Sequence, residues 1–570
     1  MIASLAAFLQ ASPAFCLFLS ILLGTLIGRV HIKGVGFGSV VGSLIAGIVV
    51  GIFAHPVLPE LLRWVFFYLF LFSVGYSVGP QFFGSLKKEA LPQIALAVIV
   101  AVSGLAAVLA MAKLFRFDEG IAVGLLSGGM TQSAALGTGL NAIAGLPIAE
   151  APKAALSANA PLADAITYGF GDLGLILFLT WLGPKILRAD LRAEAKALEQ
   201  QLAGGAGGAQ VFTGAQFSLR ALLVENPQVA GTTLAALEAR FAEARLSVQR
   251  VKRGERLLEI DPALALRAGD RVVVSARRGA FLDDDGAIGR EIDDPALLAV
   301  PLATADIVVT NRAVAGQRLG ALAGDARARG VYLESVRRGT TLLPVEAWTE
   351  LARGDVLRVV GAPADVERAG VHVGFVEHDL SKTDLTILAG GICAGMLLGL
   401  LTLTANGIAL GLGTSGSILV VGLVAGWARS RYPVFGSIPE PAQRLLMDIG
   451  LIVFIAVVGL HAGPHAVDAY RASGAGFFMS ILVAGMVVTV VPLAAGTIAA
   501  RYVLKMSPLM TLGGLAGAQT CTPGLTALRE ASGSNVGSLA YTVPYAIGNI
   551  LLTLWGPLVV AIVHAMRGAP

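Results

Sequence analysis

The chain has 570 residues, 55% of them hydrophobic and only 14% charged, with 70 glycines and a mean hydropathy of +0.75. That balance excludes an ordinary soluble domain and indicates a polytopic membrane protein whose glycines suit closely packed and interrupted helices. The formal net charge of +4 is too small to indicate nucleic acid, so the basic residues are read as topology signals.

In chain order, apolar runs of about 20 residues can each cross a bilayer. The first half carries them at Ala14–Arg29, Val35–Phe53, Leu62–Phe82, Pro92–Phe115 and Pro161–Leu182. No cleavable signal peptide is expected, since a basic n-region is missing and the first run leads into further spans. Membrane half 1 therefore covers 1–188. A linker at 189–210 begins as a charged helix and runs into Gly204-Gly205-Ala206-Gly207-Gly208, a flexible composition. Two similar soluble modules follow, at 211–288 and 295–376. Each is expected to run strand, turn, helix (Leu234–Ala244; Gln317–Arg329), strand, an Arg-Gly turn (Arg253-Gly254; Arg338-Gly339), and a Gly-Asp turn (Gly269-Asp270; Gly354-Asp355) into a last strand. Modules this small are expected to pack on one another or on a partner subunit. Membrane half 2, at 377–570, carries spans at Leu385–Thr404, Ile408–Trp427, Leu445–Pro464, Gly476–Ala500 and Ser538–His564.

Between the fourth and fifth span of each half lies a weaker apolar stretch, Gly120–Ile143 and Leu509–Arg529, interrupted by glycine and polar residues. A re-entrant helical hairpin fits each better than a clean crossing. Five crossings and a hairpin per half make the halves inverted. With 189–381 in the cytoplasm, Arg29, Lys33, Lys87, Lys88, Lys185 and Arg188, then Lys382, Arg429, Arg431, Arg444, Arg501, Lys505 and Arg529, all fall inside, as the positive-inside rule favours.

The hairpins carry related motifs: Gly128-Gly129-Met130-Thr131-Gln132-Ser133 and Gly517-Ala518-Gln519-Thr520-Cys521-Thr522-Pro523-Gly524. Upstream of them stand Gly75-x-x-x-Gly79-Pro80 and Gly459-x-x-x-Gly463-Pro464. The same order of features in two halves with broken helices is the mark of secondary transporters. Helix N-termini at the tips can hold a carboxylate through free N–H groups and the dipole. Gly128, Gly129 and Gly517 would let backbone approach, while Thr131, Gln132, Ser133, Gln519, Thr520 and Thr522 offer hydroxyls and amides. Packing glycines are the plainer alternative. The fifth spans match in part, Tyr168-Gly169-Phe170-Gly171-Asp172 against Tyr545-Ala546-Ile547-Gly548-Asn549, with a register open by one helical turn. Asp164, Asp172 and Asn549 are candidates to meet a substrate ammonium or a coupling cation. His461, facing Ser77 in the other half's pattern, is expected to be structural. Cys16, Cys393 and Cys521 stand at spacings useless for zinc or a disulfide framework and are expected to be small buried residues.

Two membrane halves flank two modules that resemble the C-terminal regulatory domain of potassium-channel RCK proteins (the TrkA-C type). With Leu71-Phe72-Ser73-Val74-Gly75-Tyr76-Ser77-Val78-Gly79-Pro80-Gln81-Phe82-Phe83 and the Gly128-to-Ser133 motif, the whole resembles the aspartate:alanine exchanger family. The resemblance implies an α-helical polytopic protein of a bacterial inner membrane with a cytosolic α/β insert. It further implies a homodimer without cofactor or metal that exchanges aspartate for alanine, or a related carboxylate pair, by an elevator mechanism. A succinate-type dicarboxylate carrier is the nearest alternative, and an RCK-regulated ion transporter or channel is a more distant one. An enzyme is not expected, for want of a metal cluster or nucleophile–base pair. The modules either bind a small cytosolic regulator or only dimerise the protein; a full dinucleotide-binding domain is not expected, since Gly-x-Gly-x-x-Gly is missing.

Overall fold

A computed structural model describes residues 9, 12–29, 31–32, 35–36, 38–84, 90–203, 217–241, 246–277, 287–323, 325–338, 341–377, 383–401, 403–405, 408–410, 413–432 and 436–568. The glycine linker and Lys33, Lys87, Lys88 and Lys382 of the topology argument lie outside the described residues. The chain forms two compact units, 1–198 with 381–570, and 199–380.

The first unit begins with α1 (Pro13–Gly28), a two-stranded ribbon β1–β2 (His31–Ile32, Val35–Gly36), α2 (Gly38–Ala54), α3 (Glu60–Gly84) and α4 (Leu91–Phe115). Then come α5 (Glu119–Gly129) and α6 (Ser133–Ala144), which make the first hairpin, and α7 (Glu150–Leu177), extended by a π turn at Phe178–Leu182. An amphipathic helix, α8 (Leu191–Ala203), leads out.

The second unit contains two sheets of one topology. Strands β3 (Phe217–Val224), β4 (Ser247–Arg253), β5 (Arg256–Leu258), β6 (Arg271–Arg277) and β7 (Gly289–Glu291) take the order β5-β4-β6-β3-β7, with helix α9 (Leu234–Arg240) after β3. Strands β8 (Ala303–Val309), β9 (Val331–Arg338), β10 (Thr341–Leu343), β11 (Val356–Gly361) and β12 (Gly374–Glu377) repeat it as β10-β9-β11-β8-β12, with helices α10 (Leu319–Ala323) and α11 (Pro363–Val373). Of the helix expected over Gln317–Arg329, the described residues give a helical turn at Leu319–Ala323 and a 3₁₀ turn at Ala326–Ala328. Gly339 of the second expected Arg-Gly turn lies outside the described residues, but the arginines and the Gly-Asp turns are paired in the same way in both modules. Arg253 donates to both carboxylate oxygens of Asp270 at 2.9 and 2.8 Å, and Arg338 does the same to Asp355 at 2.8 and 2.7 Å. Each pair ties the end of the hairpin's first strand to the turn that begins the central strand. The modules pack on one another: Arg329 donates to both oxygens of Glu238 at 2.6 Å, and the Tyr332 hydroxyl bonds the Ser275 hydroxyl at 2.9 Å.

The first unit resumes with α12 (Leu385–Leu398), a ribbon β13–β14 (Leu403–Ala405, Ile408–Leu410) and α13 (Gly413–Arg431). Next is α14 (Glu440–Ile498), broken at Gly474, whose φ of +69° and ψ of 178° end one limb and start the other. The second hairpin, α15 (Pro508–Ala518) and α16 (Thr522–Ser532), precedes α17 (Thr542–Arg567). Among the described residues, six helical spans are long and apolar enough to cross a membrane: Glu60–Pro80, Leu91–Phe115, Glu150–Leu187, Glu440–Asp468, Tyr470–Val503 and Thr542–Arg567. The ribbons were not expected; the apolar runs at Leu385–Thr404 and Ile408–Trp427 conceal that α12 ends at Leu398 and α13 begins at Gly413.

The upstream Gly-x-x-x-Gly elements are helix crossings between halves. A Cβ on Gly75 or Gly79 would stand 2.4 Å from Leu419 O or 2.2 Å from Leu423 O of α13, whose own Gly422 and Gly426 face Phe72 and Tyr76. Gly459 and Gly463 of α14 meet Leu44 O and Ile48 O of α2 just as closely, against Gly47 and Gly51. In both places the third helix of one half lies backbone-to-backbone on the second helix of the other. Between these crossings α3 and α14 touch directly, with Phe67 stacked on Phe454 at 4.5 Å.

Candidate functional site

Both hairpins turn in the same way. In the first, Met130 caps α5 (φ −102°, ψ 8°), Thr131 has φ +52°, and Gln132 is extended before α6. In the second, Gln519 caps α15 (φ −95°, ψ 11°), Thr520 has φ +56°, and Cys521 is extended before α16. The backbone bonds also agree: Thr131 N to Gly128 O and Gln132 N to Ser127 O, then Thr520 N to Gly517 O and Cys521 N to Ala516 O. These are paired Schellman caps, in which glycine is the usual left-handed residue. A β-branched threonine in that conformation costs about 1–2 kcal/mol, and strain of this kind marks sites where the side chain is needed.

The geometry fixes a register that the glutamines obscure. Gln132 stands opposite Cys521, not opposite Gln519, and Gln519 stands opposite Met130. The fifth spans fall into line with no shift. A Cβ on Gly128 would meet the Tyr168 N at 2.9 Å, and one on Gly517 would meet the Tyr545 N at 3.0 Å. Asp172 therefore corresponds to Asn549, and Asp164 to Tyr541.

The tips touch each other. The Thr131 hydroxyl donates to Gln519 O at 2.7 Å, and the Thr489 hydroxyl of α14 donates to Gly129 O at 2.9 Å. Gln132 Nε2 donates to Asn549 Oδ1 at 3.2 Å, and Asn549 Nδ2 donates to Tyr545 O. The Cys521 thiol donates to Asp172 Oδ1 at 3.0 Å, while its sulfur accepts from Gly524 N. Thr522 is exposed and shares a hydrogen bond with the Tyr541 hydroxyl, whose ring stacks on Tyr545 at 5.1 Å. Ser133, at 5% exposure, opens α6.

Among the described residues, side-chain atoms buried here without a hydrogen-bond partner include Gln519 Oε1, Thr520 Oγ1, Ser127 Oγ and Asp164 Oδ1. A buried polar atom left unmatched costs about 1–3 kcal/mol, so the first two offer an acceptor and a donor beside the tips. The glycines serve packing. Gly128 lies against Thr167 and Tyr168, Gly517 against Tyr541 and Tyr545, and Gly129 against Val488. Cys521 is buried, as expected, and beyond that it caps α16 and donates at the tip. Cys393, expected to be buried, is exposed, because α12 presents that face outward.

The first hairpin is anchored at its base. Asp118 caps α5 by accepting from Ile121 N at 2.8 Å and also accepts from Asn159 at 2.7 Å. Glu119, buried, bonds His564 Nδ1 and Arg567 Nη1 of α17, each at 2.8 Å.

Apolar spans, two broken hairpins meeting tip to tip, and helix N-termini turned toward that meeting point define a multi-pass membrane transporter. The chain belongs to the aspartate–alanine exchanger family, whose predicted permease membrane region matches residues 16–184 and 387–561. It is 49% identical to an uncharacterized transporter of Bordetella bronchiseptica over 99% of both chains. It is 39% identical to one of Bradyrhizobium diazoefficiens over 90% of this chain and 99% of that one, and 34% identical to one of Shewanella oneidensis over 97% and 98%. No solved structure matches the chain.

Proposed function

We propose that the two hairpin tips hold a carboxylate substrate midway across the membrane, and that the chain exchanges aspartate for alanine or a related carboxylate pair. The observation that carries this is the pair of left-handed threonines, Thr131 and Thr520. One hydroxyl joins the tips and the other is left unmatched, as is Gln519 Oε1. The N-termini of α6 and α16 add positive partial charge at the same place, which favours a carboxylate. Asp164 and Asp172 are the groups able to face an ammonium. Gly128, Gly129 and Gly517 contribute by bringing the backbones together.

The helices fall into two sets, which supports an elevator motion. Helices α1–α3, α12, α13 and the first limb of α14 interlock through the glycine crossings. The hairpins pack with α4, α7, α17 and the second limb of α14, as in the bond from Trp555 Nε1 to Ala101 O and the seat of Gly485 against Thr167. On this reading the first set is the static one, the halves are inverted repeats, and residues 189–381 lie in the cytoplasm of a homodimer in a bacterial inner membrane. The repeated sheet order and Arg–Asp pairs support RCK-C-like modules.

The test is uptake of labelled aspartate into proteoliposomes preloaded with alanine, succinate or neither. Stimulation by alanine is expected; equal uptake in all three would overturn exchange. A dicarboxylate carrier is the second reading, favoured by the Cys521 thiol already occupying Asp172, and it predicts stimulation by succinate alone.

A further inference from the structure

The second soluble module holds a cavity of about 70 Å³ between α10, the sheet and α11. Its walls are apolar, with Leu322, Leu333, Leu357 and Ala369 among them, and its rim carries Asp325, Arg327 and His372. In the sister module, Phe241 follows α9 and packs on the core formed by Leu234, Leu237 and Leu246.

The rim is polarised. Arg327 Nη1 lies 2.6 Å from His372 Nδ1, and His372 Nε2 lies 3.4 Å from an Asp325 oxygen. The Arg327 side chain is 60% exposed, so its guanidinium can turn to a ligand without disturbing the core. An apolar cavity of about 150 Å³ stays dry and takes benzene, so one roughly half that size takes a chain of about three or four carbons. A guanidinium beside an imidazole at its mouth matches a carboxylate that takes the place of Asp325, which stands 4.0 Å from Arg327 Nε and 3.4 Å from His372 Nε2, with Arg offering two parallel donors.

We propose that the second module is a receptor for a short aliphatic carboxylate, its chain in the cavity and its carboxylate on Arg327 and His372. The site is built from residues of the soluble module alone and stands independently of the transport reading. The test is saturation-transfer NMR of isobutyrate on the purified full-length chain, in wild type, Arg327→Ala, Ala323→Leu and Gln132→Ala. Saturable binding is expected in wild type and Gln132→Ala, weakened at least tenfold by Arg327→Ala at the rim and by Ala323→Leu, which fills the cavity. Acetate, which lacks the chain, is expected to compete poorly. Binding that survives both module variants, or that is lost only in Gln132→Ala, overturns the assignment and places the ligand at the hairpin tips. An absence of saturable binding in wild type overturns it as well.

Discussion

The two tip threonines share a conformation and differ in what their hydroxyls do, so replacing each by valine separates structure from transport. Valine keeps the β-branched shape and the left-handed strain, which leaves the hydroxyl as the only change. At Thr131 the loss removes a 2.7 Å bond and strands Gln519 O in a buried setting, at a cost of about 1–3 kcal/mol. At Thr520 the hydroxyl has no partner, so its removal is neutral or stabilising by up to about 1 kcal/mol. If that hydroxyl bonds the substrate carboxylate, a charge-assisted bond of about 1.5–3 kcal/mol is lost, roughly 10- to 150-fold in apparent affinity. The assay pairs thermal unfolding in detergent with concentration-dependent counterflow in proteoliposomes. Thr131→Val is expected to lower the unfolding temperature, whereas Thr520→Val leaves it unchanged or higher and raises the KM. A Thr520→Val protein with wild-type KM, or one as destabilised as Thr131→Val, would refute the reasoning.

Other outcomes follow from the same geometry. Gln132→Ala removes the bond to Asn549 and is expected to slow counterflow about tenfold with normal yield; a wild-type rate would count against a tip-bound substrate. Gly79→Ala places a methyl 2.2 Å from Leu423 O and is expected to destabilise by about 1–3 kcal/mol through overpacking, read as lost monodispersity on heating; unchanged stability would mean the crossing is looser than described. Asp270→Asn breaks a two-pronged pair and is expected to cost the first module about 2–3 kcal/mol, measured by denaturant titration with pulsed deuterium labelling of β4 and β6. Burial pushes the Asp270 carboxyl up, but hydrogen bonds from Arg253 and the Arg267 N–H outweigh it and hold it below its ordinary value of 3.8. Its contribution is then fully present above that unfolded value and is lost as pH falls through the lower folded one. Wild type should lose protection in β4 and β6 in that acid range, and a similar acid loss in Asp270→Asn would exclude this carboxylate as the cause.

The spans were legible because apolar length and bounding glycines and prolines act locally; Leu91–Phe115 and Thr542–Arg567 stand where hydropathy puts them. The hairpins were legible for the complementary reason, since a membrane helix interrupted by Gly128-Gly129 and Thr131 cannot be a clean crossing. The register between the hairpins depends on which residue turns left-handed, a property of Thr131 and Thr520 that residue identity does not reveal. Which glycines touch which backbone is a tertiary matter, and Gly75 gives no hint that its partner is some 350 residues away at Gly422. The Arg253–Asp270 pair was half visible: the recurring turns were plain, and the charge pairing behind them was not. Cys521 was passed over because a lone cysteine in an apolar run is ordinarily filler.

The glycine crossings bear on how the chain is made. When α3 emerges from the ribosome, the α13 backbone against which Gly75 and Gly79 will lie is on the order of 350 residues away, roughly 20–70 s of synthesis. During that interval α3 presents a groove of bare backbone with no occupant, and α2 waits in the same way for α14. Neither half closes these crossings by itself, so a nascent chain stalled after the soluble modules is an open clasp rather than a half-built protein.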